Sequence, residues 1–123
     1  MSQNMELVAD FCRAWSRRNV AELLAYFSDD AVYHNMPMPP IKGKPAIEAI
    51  LNQIIAPTTR IEWETLNIAE AGGVVLTERV DRFEMGERKV ELPVAGVFEI
   101  EDGKIKAWRD YFDMPTWTRQ AQG

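Results

Sequence analysis

The chain reads as an α+β protein, and three observations carry that reading. Apolar residues recur at helical spacing through much of its first half, they alternate with polar ones from Arg60 onward, and glycine-bearing turns divide the second half into four stretches. Helices placed ahead of a strand meander exclude the alternating parallel α/β plan.

Taken in order, Val8, Phe11, Cys12 and Trp15 fall on one face of a first helix. A break at Arg17, Arg18 and Asn19 precedes a second, with Val20, Leu23, Leu24 and Phe27 as its apolar face. Asn19 suits the N-cap there, and Glu22 completes a capping-box pattern. Ala31 to Met36 reads as a short strand, ended by Pro37, Pro39 and Pro40, whose spacing admits neither a helix nor a central strand. Pro45 suits the first turn of a third helix with Ile47, Ile50, Leu51, Ile54 and Ile55 on one face, and Pro57 stops it. The β stretches follow: Ile61 to Ala69, Val74 to Met85, Val90 to Ile100 and Lys104 to Phe112. Gly72-Gly73, Met85-Gly86-Glu87 and Asp102-Gly103 carry turn chemistry, so the strands join as antiparallel hairpins. Val90, Leu92, Val94, Gly96, Phe98 and Ile100 share one face, which places that strand along the interior.

At 123 residues, the whole of residues 1–123 is expected to form one domain around one core. Hydrophobic residues make up 46%, a globular composition rather than a disordered one. A net charge of -5 argues against nucleic acid or an anionic membrane as partner, since both call for clustered Lys and Arg. The single Cys12 forms no intrachain disulfide and reads as a packed core thiol. No signal-like segment opens the chain, and no apolar stretch approaches the ~20 residues that span a bilayer. A cytoplasmic protein is expected.

Two stretches carry the chemistry: Thr77-Glu78-Arg79-Val80-Asp81 and Trp108-Arg109-Asp110-Tyr111-Phe112-Asp113. Each sets a carboxylate among apolar or aromatic residues, where an ionised group is costly unless paired or used. Alternation turns Arg79 and Asp81 to one face with Thr77 and Phe83, while Leu76, Glu78, Val80 and Arg82 take the other. An exposed ion pair is the commoner meaning of such a motif, and periodicity alone leaves open which face is buried. Asp110 shares its face with Trp108 and Phe112, and Arg109 points away from it. Asp113, ahead of Pro115, reads as a cap or turn residue. Tyr33 and Asn35 share a face on the first strand, where a hydroxyl and an amide are able to hold a water together with a carboxylate. His34 points the other way. One His and one Cys do not make a transition-metal site, and no nucleophile elbow, P-loop or dinucleotide fingerprint occurs.

Tyr33-His34-Asn35-Met36-Pro37, Thr77 to Asp81, Gly96-Val97-Phe98, and Gly103-Lys104-Ile105 leading to Trp108 through Asp113 resemble, in order and spacing, the limonene-1,2-epoxide hydrolase family. The likeness runs from the first helix to about Met114. It implies a curved mixed sheet wrapped by N-terminal helices, the cone of nuclear transport factor 2 and ketosteroid isomerase, usually as a homodimer. It implies a cofactor-independent reaction of water with a small apolar epoxide. The family's Asp-Arg-Asp set carries over to Asp81, Arg79 and Asp110, and its water-holding pair to Tyr33 and Asn35. Ile54, Trp63, Phe83, Leu92, Val94 and Phe112 fall where the family places its apolar substrate wall. The chain departs from the pattern in a shorter N-terminal stretch than the founding member and in bulkier or more polar wall positions, with Trp63 and Arg60 as examples. Those departures leave the substrate open. A polyketide cyclase or ketosteroid isomerase type of proton transfer, and a small-ligand-binding domain without catalysis, are the rival readings.

Overall fold

The computed structural model describes residues 1–122. Helix α1 (Gln3–Ala14) starts at Ser2, whose hydroxyl accepts from the Met5 amide, and buries Val8, Phe11 and Cys12. A single 3₁₀ turn, Trp15–Arg17, follows. Arg18 then adopts a left-handed conformation with φ of 52°, which breaks the helix. Its guanidinium donates to the Thr58 carbonyl at 2.7 Å, anchoring the break to the end of another helix.

Helix α2 (Val20–Leu24) has Asn19 as its N-cap, accepting from the Glu22 amide at 3.1 Å. Glu22 completes only half of a capping box, since its carboxylate turns to Arg17 instead of reaching back. The helix is also shorter than its apolar spacing implies. Phe27 is not on it: that residue opens β1 (Phe27–Asn35), a strand that starts earlier than Ala31. Phe27 is buried either way, so helical spacing did not distinguish a fourth helical contact from the first residue of a strand.

Beyond the proline-rich turn, two residues form a short edge strand, β2 (Ile41–Lys42), with no signal in the sequence. Helix α3 (Lys44–Ile55) carries Pro45 in its first turn and buries Ile47, Leu51 and Ile55. The meander then runs β3 (Arg60–Ala71), β4 (Val74–Met85), β5 (Arg88–Glu101) and β6 (Lys104–Tyr111). Helix α4 (Met114–Gln122) ends the described chain. Its existence was not anticipated, although Asp113 does act as its cap, accepting from the Thr116 amide and hydroxyl.

One six-stranded sheet results, in the order β2-β1-β6-β5-β4-β3. The meander strands pair antiparallel, and β1 joins parallel to β6. Register shifts in β3, β5 and β1 bend it into a trough. Helices α1 and α3 pack on its inner side. The core there is aromatic: Trp108 lies 5.0 Å from Phe11 edge-on, and stacks on Tyr33 and Phe98 at 4.2 and 5.3 Å. No helix among the described residues is long and apolar enough to cross a membrane.

Candidate active site

Burial settles the open question on β4: its inner face is Thr77, Arg79, Asp81 and Phe83, all buried. Antiparallel register sets Gly96 opposite Thr77, Val94 opposite Arg79, and Leu92 opposite Asp81. Arg79 is 1% exposed, which for a guanidinium demands a full set of acceptors. It has them. Nε and Nη2 bond both oxygens of Asp81 at 3.0 and 2.9 Å. Nη1 and Nη2 bond both oxygens of Asp110 at 3.2 and 2.8 Å. Nη1 also donates to Thr77 Oγ1 at 3.0 Å, so the five contacts match the five N–H groups. The cation further lies 4.7 Å from the centre of the Trp63 ring.

The parallel pairing of β1 with β6 supplies the other half. It brings Asn35 beside Asp110 and Tyr33 beside Trp108. Trp108 Nε1 donates to Asp110 Oδ1 at 2.6 Å, and Tyr33 Oη bonds Asn35 Oδ1 at 3.2 Å. Asp110 therefore accepts from three donor contacts and Asp81 from two, a built-in asymmetry between chemically identical groups. Burial pushes the Asp81 carboxyl up to about 6, against the pull of Arg79. Burial first, and the Asp110 charge after it, raise the Tyr33 hydroxyl above its ordinary value and keep it neutral. For Arg79, burial opposes the charge, but Asp110 and Asp81 outweigh it and push the guanidinium well above its usual range.

The two carboxylates and the Tyr33–Asn35 pair form the polar floor of a cavity of about 230 Å³ whose remaining lining, Gln53 apart, is apolar. Tyr33, Asn35, Asp81 and Asp110 all line it. So do Ile54, Trp63, Phe83, Leu92, Val94 and Phe112, the residues placed on the wall by resemblance. Arg60 does not. It lies on the outer face of β3, exposed and paired with Glu62, because it is odd by one from Ile61 and Trp63, which point inward. The polar wall expected from it is therefore absent. Arg109 also lies outward, bonded to Glu99. Cys12 is buried, and burial pushes its thiol up to about 12, so it stays neutral.

Sequence reasoning missed several contributors, among them Trp15, Met38, Ile50, Gln53 and Pro57 on the cavity lining. Trp108 was seen as a neighbour of Asp110 but not as its hydrogen-bond donor, which its i−2 position on a strand permits. Gly96 lacks the β-carbon that would stand 2.8 Å from Asp110 Oδ1 and Thr77 Oγ1, so it makes room for the bridge. Met114 and Trp117 enter the cavity from α4, and that helix gave no signal.

A helix-wrapped curved sheet with two acids bridged by one arginine under a largely apolar cavity defines a protein of the nuclear transport factor 2-like cone class. The sequence profile of the limonene-1,2-epoxide hydrolase catalytic domain matches residues 2–122. Epoxide hydrolase EphG of Mycobacterium tuberculosis is 35% identical over 107 residues, which cover 87% of this chain and 71% of that protein. The structure of an epoxide hydrolase of limonene-1,2-epoxide hydrolase type from M. tuberculosis superposes with a TM-score of 0.85 at 31% identity, over 98% of this chain and 91% of that one. A protein of ketosteroid isomerase-like fold from Catenulispora acidiphila, 19% identical, shares the fold with a TM-score of 0.84 over 95% of this chain and 92% of its own. The chain belongs to the limonene-1,2-epoxide hydrolase family.

Proposed function

We propose that residues 1–123 act as one catalytic domain that adds water to a small apolar epoxide, cyclic or linear and of limonene-like size, giving a vicinal diol in one step without a cofactor. The observation that carries this is the sharing of Arg79 between two buried carboxylates that both face the cavity. A cavity of about 230 Å³ lies below the usual range for drug-sized ligands and suits a compact one.

Asp81, with fewer donors and a raised carboxyl, holds the shared proton and acts as general acid. Asp110 acts as general base. The hydrogen bond from Tyr33 fixes the Asn35 carboxamide with its Nδ2 free, so a water accepting from Asn35 directs one hydrogen to Asp110 and the other to Tyr33 Oη. The water oxygen bonds to one epoxide carbon as the carbon–oxygen bond on its far side breaks. Asp110 takes the water's proton, and the departing oxygen takes the proton of Asp81. Arg79 touches both acids through Nη2, and return of the proton from Asp110 to Asp81 resets the site.

Single turnover with excess enzyme in heavy-oxygen water tests the reading, using a panel of cyclic and linear epoxides. Label is expected in the diol, and Asp81→Asn and Asp110→Asn are each expected to abolish turnover while the protein stays folded. Label from the enzyme's own carboxylates would mean a covalent ester. A proton-transfer enzyme of the ketosteroid isomerase kind would open no epoxide and would leave one acid and Arg79 without a task. A binding domain would return the ligand unchanged.

The outer face of the sheet supports a homodimer as the working form, with Leu66, Leu76 and Tyr111 exposed on it. A single, buried cysteine supports a place in the cytoplasm.

A further inference from the structure

Between Arg88 and Val94, β5 has β4 on one side and, among the described residues, no strand on the other, because β6 pairs with it only from Ala95 onward. Such an edge leaves backbone groups without partners. Helix α4 covers it, using side chains. Gln120 Oε1 accepts the Glu91 N–H at 2.6 Å, and Gln120 Nε2 donates to the Glu91 carbonyl at 3.2 Å. One carboxamide thus reproduces the two bonds that a neighbouring strand residue would make. Pro93, two residues on, turns toward the same edge and has no N–H to satisfy.

The rest of the attachment is sparse. Arg88 donates to the Ala121 carbonyl at 3.0 Å, setting a cation at the C-terminal end of the helix. Trp117 meets Phe83 edge-on at 5.3 Å. No residue of α4 is fully buried, so these contacts and the half-buried packing of Trp117 and Ala121 on the core hold it down. Even so, Met114 and Trp117 line the cavity. They are half-buried, like Met38, and Gln53 and Pro57 beside them are exposed, which marks this side as the mouth and the acids as the floor.

We propose that Gln120 is a positioning residue for substrate size: by locking α4 onto the free edge of β5, it holds Trp117 over the mouth as a wall that long epoxides reach and short ones do not. The proposal rests on the epoxide reading for its substrates and adds to it the element that sets how far they extend from the floor.

The test compares limonene oxide with cyclohexene oxide on the wild-type chain and on Gln120→Ala. Loss of two hydrogen bonds is expected to raise KM for limonene oxide about tenfold. KM for cyclohexene oxide and kcat for both stay within about twofold, and amide exchange at Glu91 accelerates. Gln120→Asn, one methylene too short to span the gap, behaves like Gln120→Ala, and Trp117→Ala reproduces the split between long and short substrates. Equal changes for the two epoxides, or none, would overturn the proposal. Calorimetric titration with menthol, which has no epoxide to open, separates this from the reading beneath it. Affinity for menthol is expected to fall about tenfold in Gln120→Ala even if the wild-type chain opened no epoxide; unchanged affinity would overturn the role of Gln120 by itself.

Discussion

Gly96 stands against Arg79 so closely that any β-carbon there would overlap Nη1 of the guanidinium. It would also lie 2.8 Å from Asp110 Oδ1 and from Thr77 Oγ1, so the smallest side chain intrudes on three members of the buried polar set at once. The backbone of Gly96 is ordinary strand. What the site requires of it is empty space.

Gly96→Ala is therefore expected to displace the guanidinium from the position in which it serves both acids. Epoxide turnover should fall at least 100-fold, and stability by roughly 3 kcal/mol, as for a buried ion set that loses its geometry. Turnover assays and urea unfolding check this. Ala95→Ser, one residue away on the exposed face, is the control and should change neither by much.

Asp81 makes the site depend on pH with a definite sign. Its carboxyl is raised from the ordinary range to about 6 by burial, so the folded chain holds that proton more tightly than the unfolded chain. The group favours folding fully below about pH 4, and the contribution is lost as pH rises through about 6. Relative to wild type, Asp81→Asn should gain stability between pH 4 and pH 7 by on the order of 3 kcal/mol, read from urea midpoints at both values. In the proposed role of general acid Asp81 must carry its proton. The kcat/KM of the wild-type chain should thus fall about tenfold per pH unit above 6, and a flat profile to pH 8.5 would remove Asp81 from that role.

Tyr33 and Asn35 act on the proposed water as one unit, because the hydroxyl of one orients the carboxamide of the other. Tyr33→Phe keeps the ring stacked on Trp108, so the melting temperature should move by no more than a few degrees. Turnover should drop about 10- to 100-fold through kcat. Asn35→Ala should cost a similar amount, and the double substitution little more than either alone, since each single change already disables the pair. Independent, multiplying losses would show that the two residues do not share a water.

Much of this arrangement was legible in residues. The β4 stretch was bounded to the residue, because Gly72-Gly73 and Gly86 punctuate it and its alternation is uninterrupted. The pairing of Tyr33 with Asn35, and of Asp110 with Trp108, followed from the period of a strand. The burial of Arg79 was not legible, since the opposite face of the same strands carries Leu76, Val80, Ala95 and Val97 and looks no less apolar. Helix α4 escaped because it buries nothing completely and is held by bonds from Gln120, Arg88 and Asp113, which no periodicity records. Arg60, put on the wall by resemblance, is out of step by one with Ile61 and Trp63, enough on a strand to turn it outward.

That ambiguity between the two faces has its own consequence. Register lays Leu76 beside Val97 and Ala95 beside Tyr111 across the outer sheet, while Leu66 projects from the bulge in β3; Leu66, Leu76 and Tyr111 are 48%, 45% and 45% exposed. Ion pairs rim this strip: Arg82 with Glu64 and Glu91 on one side, Arg109 with Glu99 on the other. Glu78, accepting from Asn67 at 2.7 Å, lies within this strip beside Ala95, so the face mixes apolar and polar groups, and the homodimer proposed above would pair it with a second copy about a two-fold axis. Leu76→Glu combined with Tyr111→Glu puts four uncompensated charges into such a contact and should shift sedimentation from dimer to monomer. The inner face is untouched by both changes, so helical content by circular dichroism should be preserved. A wild-type chain that sediments as a monomer at micromolar concentration would leave the strip without a partner of its own kind.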